Sequence, residues 1–376
     1  MTPERIPLCD LRAQYTQLAP EIIGAIAEVL AEQRFVLGDR VARFEAQLGD
    51  LAGATHAVGV ASGSDALYLA LRALGIGPGD GVLVPAYTFF ATAGAVTRTG
   101  ATPLFCDVDP ATMVAGVAEL AARARSVDAK VRLRAVVPVH LFGQCAPMGE
   151  IMTFARSRDL LVVEDVAQAL GASDGDGRAG AFGAAAALSF FPSKNLGAYG
   201  DAGAVLTALA DVATRVRALR AHGAGADGLH HEVGINSRLD AVQAAILSVK
   251  ATHLARWNEG RRRAAERYRA LVAEQPWHGR IELPAVRPGT THVFHQFVVK
   301  LDDREALAAH LASRGIASRA YYPVPLHREP CFSSQADLAL PGAERCSRTA
   351  LALPMFPEIT EAQQREVVSA IAEFFG

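Results

Sequence analysis

Cysteine is scarce and scattered in this chain. Five of its 376 residues are cysteine: Cys9, Cys106, Cys145, Cys331 and Cys346. The number is odd and no two lie close together, so the sequence shows neither a disulfide framework nor zinc-ligand spacing. Reduced thiols of a cytoplasmic protein are the expectation. Long apolar runs are also missing, since none reaches the roughly 18 residues of a membrane span. The first ten residues carry Pro, Glu, Arg and Asp with no apolar segment, so no signal peptide is expected. Neither sign of charge dominates: Lys+Arg is 37 and Asp+Glu 39, a net charge of -2. No global basic excess is there to draw nucleic acid or anionic lipid. What is present is a globular composition, 51% hydrophobic and 20% charged, which excludes a disordered chain. The length leaves room for two domains.

Short apolar segments alternate with longer amphipathic ones. The spacing predicts helices over 16–32, 41–51, 65–74 and 148–157, with another after Thr88. Strands are expected at GVLVP (81–85), ATPLF (101–105), RAVVPV (134–139) and LLVVE (160–164). Two more are expected at 186–191 and 204–207. Such alternation implies an α/β fold, a mostly parallel sheet sandwiched by helices. After Asp240 the texture changes to a single long helical stretch, 239–271, then a Pro-rich region. The strand HQFVVKL (295–301) and helices over 304–314 and 360–375 follow. This reads as a large domain, 1–254, with an N-terminal arm, and a smaller C-terminal α/β domain, 255–376.

In open α/β sheets, ligands bind outside the carboxyl ends of the strands. Asp165 stands directly after LLVVE, with Gln168 three residues on. Ser189 lies in the strand LSFF, and Lys194 follows in the loop PSKNLGAYGD. Ser64 and Asp65 stand at an expected helix N-terminus. Each has an ordinary structural reading. Asp165 could cap a helix, Lys194 could be an exposed loop lysine, Ser64 with Asp65 could be a plain cap, and Ser189 could be satisfied within the sheet. As a set they suit pyridoxal phosphate. That cofactor needs a lysine for its Schiff base and an acidic partner for its pyridinium nitrogen. Its phosphate suits a helix N-terminus, and Phe89 or Phe90 offers its ring an aromatic face. No metal is expected. The pairs His230-His231 and His292/His295 lack a helical HExxH or a cysteine companion. The Gly-rich GIGPGDG (75–81) follows a helix and precedes a strand, the reverse of a dinucleotide fingerprint.

Ten blocks in order resemble one family. They are IPLCDLRAQY (6–15), FVLGDRVARFE (35–45), ASGSDALYLALRALGIGPGD (61–80), VPAYTFFATA (84–93) and VPVHLFGQ (137–144). Next come VVEDVAQALGA (162–172), SFFPSKNLGAYGDAGAV (189–205), HEVGINSRLDAVQAAIL (231–247), YYPVPLH (321–327) and LALPMFPEIT (351–360). The chain is similar to the sugar aminotransferases of the DegT/DnrJ/StrS family, fold-type I pyridoxal-phosphate enzymes. The resemblance implies that Lys194 forms the Schiff base and shuttles the proton, and that Asp165 partners the ring nitrogen. It places Gln168 near the cofactor's 3-hydroxyl and Phe89 on its ring. Ser64, Asp65 (through its backbone N–H) and Ser189 would hold the phosphate. Asn236 would reach that phosphate from a neighbouring subunit, making a homodimer. Arg238, Tyr321 or Tyr322, and His327 would contact the sugar.

The loop after Lys194, with Asn195-Leu196-Gly197 and Gly200-Asp201, resembles the branch that aminates C3 of nucleotide-linked 3-keto sugars. The resemblance thus implies L-glutamate as donor, a dTDP- or UDP-linked keto sugar as acceptor, and ping-pong covalent catalysis. Relatives acting on 3-keto uronic acids often carry a basic residue where Glu232 stands here. Three alternatives remain open: C4 amination, a dehydratase (which would replace the lysine by histidine), and a non-catalytic regulatory member. The basic stretch 250–269 reads as a solvated helix face.

Overall fold

The computed structural model describes residues 5–128 and 130–376. Helix α1 (Leu11–Glu32) starts earlier than the apolar spacing indicates, because the Asp10 carboxylate caps the N–H groups of Arg12 and Ala13. Helix α2 (Asp39–Ala52) leads into strand β1 (His56–Val60) and helix α3 (Gly63–Ala73). The cap of α3 is Ser62, not Ser64. Ser62 Oγ accepts the Asp65 N–H at 3.1 Å. Strand β2 (Asp80–Pro85), helix α4 (Ala91–Arg98), β3 (Thr102–Cys106), α5 (Val117–Arg125), β4 (Arg132–Val136), α6 (Met148–Arg156) and β5 (Leu161–Asp165) then alternate. A small hairpin, β6 (Ser173–Asp174) and β7 (Gly177–Arg178), precedes β8 (Ala185–Ser189), β9 (Gly203–Thr207) and α7 (Ala210–Leu219).

The main sheet has the order β1-β9-β8-β5-β4-β2-β3. Strands β8, β5, β4, β2 and β3 run parallel, and β9 is antiparallel to both of its neighbours. Every residue of β2 is buried, which explains its continuous apolar run. The carboxyl ends of β5 and β8 put Asp165 and Ser189 on one edge of the sheet. The N-terminus of α3, which follows β1, lies at the same edge: a Cβ added at Gly63 would sit 2.5 Å from the Ser189 Cβ.

The expected single helix over 239–271 is two helices, α8 (Ala241–Ala251) and α9 (Leu254–Ala273). The break falls at Thr252 and His253. Thr252 turns its hydroxyl back onto the Val249 carbonyl at 2.8 Å, a local bond that competes with helix continuation. Beyond β10 (Thr290–Thr291), the strand β11 (Phe297–Lys300) is followed by α10 (Arg304–Ser313) and α11 (Pro341–Thr349). Strand β12 (Ala350–Leu353) and α12 (Glu361–Phe375) complete the chain, and β11 pairs antiparallel with β12. Tyr268, Phe297, Leu307 and Ile371 form an apolar cluster there, distinct from that of the main sheet. Ile6 packs into this cluster and bridges to Ile316, so the start of the chain docks against its C-terminal region. Among the described residues no helix is long and apolar enough to cross a membrane.

Candidate active site

A cavity of about 530 Å³ opens at the carboxyl edge of the sheet. Ser64, Phe89, Asp165, Gln168, Ser189, Lys194, Tyr321 and Tyr322, all singled out from the sequence, line it together. Asp165 is buried at the end of β5. Its Oδ2 accepts the Thr92 hydroxyl at 2.8 Å and its Oδ1 accepts the Ala167 N–H at 3.1 Å. Burial pushes this carboxyl above its ordinary range, while these hydrogen bonds and the Lys194 charge pull it back. Lys194 sits in a turn closed by its own N–H to the Phe191 carbonyl at 2.8 Å. Burial lowers its amine to about 8, against the opposing pull of the Asp165 carboxylate. A lysine so placed holds a substantial neutral, nucleophilic fraction near neutral pH.

Gln168 is held at both ends. Its Oε1 accepts the Phe142 N–H at 2.7 Å and its Nε2 donates to the Tyr322 hydroxyl at 3.0 Å. Tyr322 in turn lies 6.0 Å from the exposed Phe89 ring, centroid to centroid. At α3, the Asp65 N–H is already taken by Ser62, and the Asp65 carboxylate pairs with Arg98 at 2.5 Å. Among the described residues nothing pairs with the N–H groups of Gly63 and Ser64, which leaves these two free at the helix start.

The lysine loop is tightly bound to the body of the protein. A Cβ at Gly197 would lie 2.2 Å from the Pro192 carbonyl oxygen, so only glycine closes this turn. Asn195 Nδ2 donates to Asn258 Oδ1 at 2.7 Å, and Asn195 Oδ1 lies 3.1 Å from His295 Nδ1. Buried Lys250 donates to the Gly197 carbonyl.

Four residues expected at the site do not line this cavity. Asp65 faces Arg98. His327 is fully buried beside Glu344, 3.4 Å from its Oε1. Asn236 is exposed and Arg238 half-buried; between them, buried Ser237 accepts the Ala61 N–H at 3.1 Å. Conversely, Thr88, His295, Gln296 and Arg319 line the cavity without having been singled out as site residues. His295 and Gln296 open the strand expected over 295–301, which in the structure begins only at Phe297; beyond that, the sequence marks His295 only as half of a His pair weighed for metal. Arg319 carried no sequence signal.

Among the described residues no group of three or more His, Cys, Asp and Glu could hold a metal ion. The donor set does fit pyridoxal phosphate: an amine, a buried carboxylate, an aromatic face, and free N–H groups with hydroxyls at a helix start.

Comparison with known proteins agrees with this chemistry. Residues 16–372 match the DegT/DnrJ/EryC1/StrS aminotransferase family, and the chain belongs to it. It is a pyridoxal-phosphate-dependent aminotransferase. A curated relative from Geobacillus stearothermophilus, named a pleiotropic regulatory protein, is 45% identical over 98% of each chain. A second, from Acidithiobacillus ferrooxidans, is named UDP-N-acetyl-3-dehydro-alpha-D-glucosamine 3-aminotransferase. It is 45% identical over 97% of each chain. The crystal structure of DesV from S. venezuelae, in complex with a ketimine intermediate, superposes with a TM-score of 0.93. Its identity is 41% and 99% of each chain is covered.

Proposed function

We propose that this aminotransferase moves an amino group from L-glutamate to C3 of a nucleotide-diphosphate-linked keto sugar, in two half-reactions at one site. The observation that carries the reading is the placement of Lys194 and Asp165 on one cavity at the strand ends. The loop sequence after Lys194 and the name of the Acidithiobacillus relative support C3, and that relative's name favours a UDP-linked sugar.

In this reading Lys194 would hold the cofactor through its amine and would move protons at the reacting carbon. Asp165 would partner the ring nitrogen, and its hydrogen bonds from Thr92 and Ala167 favour the ionised form this needs. Phe89 would offer its face to the ring, and Gln168, held by Phe142 and Tyr322, fixes one edge of the site. The free N–H groups of Gly63 and Ser64, with the Ser64 and Ser189 hydroxyls, hold the phosphate. Asp65 contributes through helix position alone, because its N–H is already engaged. When bound, pyridoxal phosphate supplies the electron sink for carbanion stabilisation.

Asn236 and Arg238 lie outside their own chain's cavity and would serve the site of a partner in a homodimer. Exposed Tyr15, Phe35, Val36, Tyr199 and Val233 offer apolar surface for such a contact. His327, paired with Glu344, would shape the wall behind Tyr321 and Tyr322. Residues 1–254 and 255–376 would form the large and small domains. A regulatory role, as the Geobacillus relative's name suggests, leaves Lys194 beside Asp165 without a purpose.

The experiment is an absorbance spectrum of the holoenzyme with L-glutamate, followed by a panel of nucleotide-linked 3-keto and 4-keto sugars. Glutamate should bleach the cofactor's yellow band and a 3-keto sugar should restore it. Restoration by 4-keto sugars alone would overturn the C3 assignment.

A further inference from the structure

The cavity is lined by two cationic side chains, Lys194 and Arg319. Lys194 is committed to the amine chemistry. Arg319 is exposed, and among the described residues its guanidinium has no hydrogen-bond acceptor or carboxylate partner. Arg348 likewise has no partner among the described residues, but it does not line the cavity. Five others differ: Arg304, Arg314, Arg328, Arg345 and Arg365 each pair with a glutamate.

Arg319 is nonetheless firmly placed. Its N–H donates to the Ala352 carbonyl at 3.2 Å, and its carbonyl accepts the Ala352 N–H at 2.8 Å, locking its backbone to β12. Its guanidinium lies 5.5 Å from the Tyr321 ring centroid, a cation–π arrangement on the cavity wall. The two carboxylates on the cavity are Asp165, which is buried and hydrogen-bonded, and Asp201, which is exposed.

We infer that Arg319 binds a carboxylate of the amino-acid donor. The inference rests on the proposed transamination and deepens it by assigning donor recognition. An amino acid fits within a cavity of this size and carries a carboxylate one bond from its reacting carbon. A nucleotide sugar is different: its hexose ring separates the diphosphate from the reacting carbon, so its charge lies farther from the Lys194 chemistry than the donor's carboxylate does. A guanidinium sharing one wall system with Lys194 therefore suits the donor's carboxylate, which it grips in a two-point hydrogen-bonded pair.

The test uses the holoenzyme and reads the two half-reactions separately. Wild type, Arg319→Gln and Arg319→Lys are mixed with L-glutamate alone, and the bleaching of the cofactor band is followed against donor concentration. The sugar side is read by the same bleaching with a UDP-linked 3-amino hexose. Arg319→Gln should raise the glutamate concentration for half-maximal rate by roughly 10- to 100-fold, the loss expected for a charge-assisted pair. Arg319→Lys should recover part of it, and the sugar half-reaction should hold its wild-type value. An unchanged glutamate response, a loss confined to the amino sugar, or an equal loss on both sides overturns the inference. Wild-type enzyme that no amino acid bleaches would instead refute the proposed function. Melting curves of the exposed-site variants should match wild type, so a folding defect would be visible as such.

Discussion

Thr92 Oγ1 donates a 2.8 Å hydrogen bond to Asp165 Oδ2, and Thr88 Oγ1 lies 3.1 Å behind it from Thr92 Oγ1. A buried carboxylate is thereby kept within reach of ionisation. Removing the Thr92 hydroxyl by Thr92→Val leaves the shape and withdraws the donor. The Asp165 carboxyl, already raised by burial, should rise further. The acidic limb of the pH–rate profile should then move to higher pH. The stability cost should be about 1–2 kcal/mol. A carboxyl whose folded pKa is raised withdraws stability as pH climbs through that pKa, so the loss in urea melts should be greater at pH 7 than at pH 4. An unshifted acidic limb would show that Thr92 does not tune Asp165.

Lys194, with an amine lowered to about 8, gives a second prediction. Attack on the aldehyde of pyridoxal phosphate requires the neutral amine. The rate of loading apoenzyme should therefore rise between pH 7 and 9 with a midpoint near 8, and then level off. A free lysine would keep rising towards a pKa of about 10.4. Stopped-flow absorbance at fixed cofactor concentration reads this directly. Lys194→Ala should lose turnover entirely and keep its fold by circular dichroism.

The sequence made the strand ends legible because buried parallel strands read as plain apolar runs. GVLVP lies within β2 (Asp80–Pro85) and LLVVE within one residue of β5 (Leu161–Asp165). That placed Asp165, Ser189 and Lys194 along one edge. Helix punctuation was less legible. Ser62 and Ser64 are both plausible caps, and only the 3.1 Å bond to the Asp65 N–H decides between them. Strand β1 (HAVGV) and helices α5 and α7 passed unread, although the Glu119 carboxylate accepts the Gly116 N–H and marks the start of α5. Arg319 and His295 reach the cavity from the far side of the chain, so only tertiary packing could place them there. The resemblance carried Asn236 and Arg238, but one chain's cavity does not include them.

Glu164, one residue before Asp165, was also silent in the sequence. It is fully buried and accepts four donors. These are the N–H groups of Gly180, Phe182 and Gly183, each at 2.8 Å, and His140 Nε2 at 3.0 Å. His140 Nδ1 accepts the Ala146 N–H at 3.0 Å, so Nε2 carries the proton given to Glu164. Glu164→Ala would orphan all four donors beneath the site. The expected destabilisation in urea titration is at least about 3 kcal/mol. A change below about 1 kcal/mol would mean that water satisfies these groups instead.

Asn236 yields the test of the dimer. It is exposed, outside its own cavity, and its segment is anchored where Ser237 bonds Ala61. If Asn236 completes the partner's site, Asn236→Ala and Lys194→Ala each spoil both sites of a homodimer. They spoil them on opposite chains, however. Unfolding and refolding the two variants together, in equal amounts, makes about half the dimers mixed. In each mixed dimer both defects fall on one site and the other site is intact. The mixture should therefore recover about a quarter of wild-type activity, although each variant alone is nearly inactive. No recovery, with mixed dimers confirmed by mass, would place Asn236 in the same site as its own Lys194 and remove the reason for a shared active site.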